Sequence, residues 1–270
     1  MGQKQQRASE DRYQAKQIGP FRYFAIFDGH GGSHEMGPQH VGQYCVEHLH
    51  EFLADKLGQI DLNNETEVMF TISQTFVDFD AEMYSKGLKF GTTCIVILID
   101  DVRNKIYQVN LGDSRSILFT GTKIVSVTVD HEPDDPNEKK RIDAAKGFVQ
   151  AGRVVGSLAI SRAFGDYIYK RNGTTVYDPV NGMVIAVPAI TVIPKGLVAN
   201  AVLTSDAPYE GDVFTDQLLV DLAIESAGDV AEMSANQVQF TGLPELIAKG
   251  MVDTIVRFTS DDTTIIYVII

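Results

Sequence analysis

Acidic residues recur in this chain where short apolar, β-branched runs stop, and that pattern limits what it can fold into. Glu10 and Asp11 stand together near the start, Asp28 closes FRYFAIF ahead of GHGG, Asp113 sits in LGDSR, Asp206 in LTSDA, and Asp261 and Asp262 precede the last apolar run. A single such aspartate is ordinarily a turn or cap residue. If the runs are strands of one layered domain, however, their ends bring these carboxylates to one sheet edge, where like charges a few ångströms apart repel and raise each other's pKa. Hard divalent cations relieve that repulsion. An all-oxygen ligand set with water suits Mg²⁺ or Mn²⁺ and disfavours Zn²⁺, for which Cys and His are the usual donors.

Periodicity supplies the layers. Phe21 to Asp28 reads as a buried strand running into a glycine turn. Val41, Tyr44, Cys45, Leu49, Phe52 and Leu53 recur at helical spacing, as do Val68, Ile72, Phe76, Phe79 and Met83, so two amphipathic helices follow. Thr92 to Ile99, Ile106 to Leu111, Ile117 to Phe119 and Ile124 to Val129 are β-rich runs between polar turns and predict an antiparallel meander. Residues 134–146 open with acids and a proline and stop before Gly147, as a helix does. The Gly-, Asn- and Tyr-rich stretch 167–188 reads as a surface flap. A strand at Ala199 to Thr204, helices at Asp216 to Glu225 and Pro244 to Phe258, and a closing strand at Thr264 to Ile270 complete a single α+β domain over residues 1–270.

Composition excludes more than it assigns. With 270 residues, 44% of them hydrophobic, the chain can bury a sizeable core, and a formal charge of −13 without a basic patch argues against a nucleic-acid partner. No apolar run is long enough to span a membrane, and MGQKQQRASED lacks a signal-peptide core. Gly2 is in place for myristoylation, but Gln6 stands where Ser or Thr is wanted. Cys45 and Cys94 lie in apolar stretches without metal-ligand spacing and read as buried free thiols, which suits a reducing intracellular compartment, cytoplasmic or nuclear. His34, His40, His48 and His50, on or near the first helix, read as solvated.

Eight segments then carry a resemblance: ED at 10–11, FAIFDGHGG at 24–32, FGTTC at 90–94, VNLGDSRS at 109–116, DHEP at 130–133, GSLAISRAFGD at 156–166, LTSDAPYEGD at 203–212 and SDDTTIIYVI at 260–269. In this order, and across nearly the whole chain, they resemble the metal-dependent protein serine/threonine phosphatases of the 2C type. The resemblance implies a four-layer α-β-β-α sandwich of two antiparallel sheets flanked by helices, with a binuclear metal centre at one edge. It implies that Asp28 bridges two Mg²⁺ or Mn²⁺ ions, that Gly29 ligates through its carbonyl, that Asp206 and Asp261 hold one ion, and that Glu10 and Asp11 act on the other. It further implies that a metal-bridging water attacks the phosphorus of phosphoserine or phosphothreonine in line and that His30 protonates the departing oxygen. Asp113, Asp206 and Glu210 match a third, weaker site.

Three positions depart from the family pattern. Arg7 is the candidate phosphate-binding arginine, although the family's lies four residues before the glutamate and Gln6 occupies that place. Ala207 replaces the glycine of SDG, and Asp261-Asp262 replaces Asp-Asn. A phosphatase-like scaffold that binds partners without catalysis is the rival reading. Such scaffolds lose metal acids, whereas Glu10, Asp11, Asp28, Asp206 and Asp261 are all present. Phosphorylated proteins are the expected substrates and a monomer the expected state.

Overall fold

A computed structural model describes residues 9–31, 40–235, 243–259 and 261–270. In chain order its elements are β1 (Arg12–Ile18), β2 (Phe21–Phe27), β3 (Gly29–His30), α1 (Val41–Leu57), α2 (Glu65–Ser85), β4 (Gly91–Thr92), β5 (Cys94–Asp100), β6 (Lys105–Leu111), β7 (Arg115–Thr120), β8 (Lys123–Val127), α3 (Pro136–Ala144), β9 (Val149–Gln150), β10 (Arg153–Val154), β11 (Phe164–Gly165), β12 (Ala189–Pro194), β13 (Asn200–Thr204), α4 (Asp216–Ala235), α5 (Leu243–Ile255) and β14 (Ile265–Ile269). One sheet has the order β1-β2-β5-β6-β12 and the other β14-β13-β7-β8, and all their pairings are antiparallel.

The central strands show why the layers stack as they do. Every residue of β5, CIVILID, is buried, which requires cover on both faces of the sheet. Cys94, Val96 and Leu98 join Leu49, Leu53, Phe76 and Phe79 of α1 and α2, while Ile95, Ile97 and Ile99 meet Leu118, Ala201, Leu203 and Val268 of the second sheet. On that sheet's far face Ile117, Phe119 and Val202 pack against Leu219, Val220 and Met251 of α4 and α5. Each such aliphatic side chain contributes roughly 1.5–3 kcal/mol by leaving water. The result is the expected four-layer α-β-β-α sandwich.

Two sequence expectations need correction. The β-rich runs from 92 to 129 are not one meander. The β5-β6 hairpin belongs to the first sheet and the β7-β8 hairpin to the second, and the chain changes sheets at Gly112, whose φ of +126° and close approach to the Thr93 side chain suit only glycine. His40 and His50 are buried, not solvated. His40 caps α1 by accepting the Gly42 N–H at Nδ1 and stacks on Phe90, and burial lowers its pKa to about 4.

Asp135 caps α3 as its acidic start predicts, accepting from the N–H groups of Asn137 and Glu138. Beyond β11 the stretch 167–188 contains no named helix or strand, but it is tied to the core by Lys170, which is fully buried with its Nζ 2.6 Å from Asp80 Oδ1 on α2. Removing one partner of such a buried pair costs about 3–5 kcal/mol.

Candidate active site

Strand register alone gathers the acidic residues. Arg12 pairs with Phe27, so Asp11 lies beside Asp28. Ile26 pairs with Ile95 and Cys94 with Leu111, which carries the same edge across to Gly112 and Asp113. In the second sheet Thr204 pairs with both Arg115 and Ile265, setting Asp206 between Asp113 and the Asp261 loop. Both sheets therefore end their strands at one edge.

The backbone at Asp28 is held from two sides. Its carbonyl accepts from Thr93 N and Thr92 Oγ1, each at 2.9 Å, and its N–H donates to Thr93 Oγ1 at 3.2 Å. Thr93 Oγ1 is in turn 2.6 Å from Ser114 Oγ. These bonds interrupt the β-rich run at Thr93, and the short strands β3 and β4 pair Gly29 with Thr92 and His30 with Gly91. The FGTTC segment thus ties the Asp28 turn into the sheet edge.

The electrostatics are those of crowded carboxylates. Burial pushes the Asp28 carboxyl well above the ordinary range, and the charges of Asp11, Asp206 and Asp113 push it further. Asp11 rises to about 6, again through burial first and against its hydrogen bonds to Thr264 and Asp28. Asp113 rises to about 7 through burial and then through Asp206 and Asp130, while Asp206 is raised by burial and by Asp261 and Glu210. Asp11 Oδ2 is buried and has no hydrogen-bond partner among the described residues. An all-oxygen, mutually repelling set with an orphaned carboxylate oxygen fits hard divalent cations. Among the described residues no group of three or more His, Cys, Asp and Glu side chains is drawn together closely enough to form an ion cage.

The remaining candidates fall into place around this edge. Glu10 donates its N–H to Asp262 Oδ2 at 3.0 Å, which gives the unusual second aspartate a positional role. Ala207 is buried at the start of a 3₁₀ turn, Ala207–Asp212, and is not among the positive-φ residues, so alanine there is unstrained. Glu210 is exposed and its Oε2 accepts from Thr259 Oγ1 at 2.7 Å. Arg7 lies outside the described residues.

His30 has a partner that the sequence did not single out. Its Nε2 is 2.7 Å from Asp166 Oδ2, and although burial opposes the imidazolium, the Asp166 charge and hydrogen bond outweigh it and raise the His30 pKa. The three-stranded ribbon β11-β4-β3 brings the two together across 136 residues of chain. A Cβ at Gly91 would overlap both His30 Nε2 and Asp166 Oδ2. Gly91→Ala is therefore expected to break the pair and to cost about 1–3 kcal/mol in overpacking, read by urea unfolding and by loss of the downfield imidazole proton in NMR spectra. Unchanged stability and an unchanged proton would contradict this placement. Beside the pair opens a cleft of about 430 Å³ whose walls include Leu88, Phe90, Leu158 and Ile168.

A model of the protein phosphatase 2C family matches residues 4–264. The chain belongs to the protein phosphatase 2C family. Among curated proteins of that kind, it is 37% identical over 180 residues to "Probable protein phosphatase 2C 6" of Paramecium tetraurelia, covering 63% of this chain and 58% of the relative. It is also 37% identical over 157 residues to human "Protein phosphatase 1A", covering 55% of this chain and 39% of the relative. The chain thus spans between about two fifths and three fifths of these relatives' lengths. A solved phosphatase from a pathogenic strain of Toxoplasma gondii superposes with a TM-score of 0.74 at 23% identity over 96% of this chain and 87% of that one. A C. elegans sex determining protein does so with 0.74 at 24% over 98% and 62%. At these identities the superpositions speak for the protein phosphatase 2C fold.

Proposed function

We propose that this chain is a serine/threonine protein phosphatase that hydrolyses phosphoserine and phosphothreonine in proteins with two divalent cations, Mg²⁺ or Mn²⁺. Asp28, the Gly29 carbonyl, Asp206, Asp261, Glu10 and Asp11 would hold the two ions, and Asp113, Asp206 and Glu210 a weaker third. When bound, the cations neutralise the carboxylates, draw charge from the phosphoryl oxygens and activate water for in-line attack on phosphorus.

The observation that carries this reading is the His30–Asp166 pair at 2.7 Å, with His30 standing two residues from Asp28, whose carboxyl burial and neighbouring acids push well above the ordinary range. Asp166 favours the charged imidazole and orients it through Nε2, which leaves Nδ1 to donate a proton to the departing serine or threonine oxygen. Asp11, Asp28 and Asp206 would hold the cations in place, and positioning with charge stabilisation is most of what phosphoryl transfer asks of a protein. Arg7 is proposed to bind the phosphate. The apolar cleft beside His30 is where the substrate chain flanking the phosphoresidue would lie.

The reading is tested by hydrolysis of a phosphoserine peptide with Mn²⁺ and with EDTA. Release of phosphate that requires added metal is the expected result. No release at any metal concentration would favour the non-catalytic scaffold, and full activity in EDTA with no metal by elemental analysis would overturn the metal-dependent mechanism.

A further inference from the structure

The turn that presents Asp166 is held by a residue on the far side of the first core. Asp80, in the interior of α2, is fully buried. Its Oδ1 accepts the N–H of Gly165 at 2.8 Å and Lys170 Nζ at 2.6 Å, and its Oδ2 accepts the Tyr177 hydroxyl at 2.6 Å. Lys170 Nζ also donates to the carbonyl of Ala163 at 2.8 Å. The backbone is thus gripped at Ala163, Gly165 and Lys170, on both sides of Asp166.

That grip acts on a strained segment. Asp166 has a φ of +52° and Gly165 one of +75°, with the Phe90 carbonyl where a Cβ on Gly165 would be. A non-glycine residue in the left-handed region persists only where its surroundings over-determine it. Here the surroundings are the Asp166 N–H bond to the Phe90 carbonyl, at 2.9 Å, and the Asp80 bonds to the Gly165 N–H before it and to the Lys170 side chain after it. Stability gives no reason for the device, since well-packed apolar residues commonly replace a buried ion pair without loss. Placement of the Asp166 carboxylate against His30 does give one.

We propose that Asp80, acting through Gly165 N–H and Lys170, is a positioning residue that sets Asp166 and therefore the proton-donating orientation of His30. The inference rests on the phosphatase reading for its kinetic arm and on geometry alone for its spectroscopic arm. If His30 serves only the departing oxygen, disturbing its support slows reactions with a poor leaving group and spares those with a good one.

The test compares Asp80→Asn with wild type on a phosphoserine peptide and on p-nitrophenyl phosphate, both with Mn²⁺. The expected result is a loss of about 10- to 100-fold on the peptide, a part of the full general-acid effect, with the aryl ester changed by less than about 3-fold. Because both changes act through one group, Asp80→Asn should add little to His30→Ala. Equal losses on the two substrates, or full additivity with His30→Ala, would overturn the proposal. Should Asp80→Asn not fold, the double variant Asp80→Asn with Lys170→Met leaves no unpaired buried charge and should show the same selective loss. In metal-free protein, the His30 ring proton shared with Asp166 should exchange slowly in wild type and rapidly in the folded variant. Unaltered exchange would also overturn the proposal, whereas a wild type inactive on both substrates with the exchange difference intact would sink the phosphatase reading alone.

Discussion

Replacing Asp28 by asparagine is expected to abolish metal-dependent hydrolysis and, in the absence of metal, to leave the protein at least as stable as wild type. The two halves follow from one fact. Burial and the charges of Asp11, Asp206 and Asp113 raise the Asp28 pKa well above its ordinary value. A raised carboxyl pKa means that the folded state holds its proton above the pH at which the unfolded chain releases it. Stability from this group is therefore full below the unfolded pKa and falls as pH rises towards the folded one. Above the unfolded pKa this group burdens the metal-free fold, and the neutral amide removes that burden. The cost appears with metal. Wild type should gain melting temperature on adding Mn²⁺, as any protein does when an ion binds only its folded form, and the variant should gain much less. If several kcal/mol of transition-state stabilisation come through these ions, about 4 kcal/mol is about 10³-fold in rate. Calorimetric melting with and without Mn²⁺, beside phosphopeptide turnover, checks both halves. A variant that melts lower without metal yet keeps the wild-type Mn²⁺ shift would place Asp28 outside the ion site.

What could be read in the sequence tracks how local its cause is. β5 is legible because a strand covered on both faces must be apolar throughout, and β2 because its run stops abruptly at Asp28. β1, RYQAKQI, is not, since it is an edge strand whose only fully buried residue is Ile18 and whose apolar Tyr13 and Ala15 face solvent. β12 at the opposite edge escapes for the same reason. The acids Asp11, Asp28, Asp113 and Asp206 were legible as a set because each closes or flanks a strand, but their mutual placement needed register. Asp166 and Asp80 were not legible, because their roles arise from pairings across 136 and 85 residues that leave no local trace. His40 and His50 were misread for a related reason: a histidine on a helix looks the same in sequence whether the layer above it is solvent or a neighbouring side chain.

His30→Ala should discriminate between substrates more sharply than any other single change. The proposed task of the imidazole is to protonate the leaving oxygen, and an alkoxide is a far poorer leaving group than a nitrophenolate. Loss of a general acid typically costs about 10²- to 10⁴-fold where the proton is needed. The phosphoserine peptide should therefore slow by about that factor and p-nitrophenyl phosphate by much less. Asp166→Asn, which keeps a hydrogen-bonding group but removes the charge that favours the imidazolium, should fall between wild type and His30→Ala on the peptide. Because His30 is only partly buried in the cleft, with 28% of its side chain exposed, the alanine variant should fold normally. The measurement is kcat on both substrates at saturating Mn²⁺ for the three proteins. Equal losses on the two esters would make His30 a support of the β3-β4 ribbon and not the proton donor, and the Asp166 contact would then be structural as well.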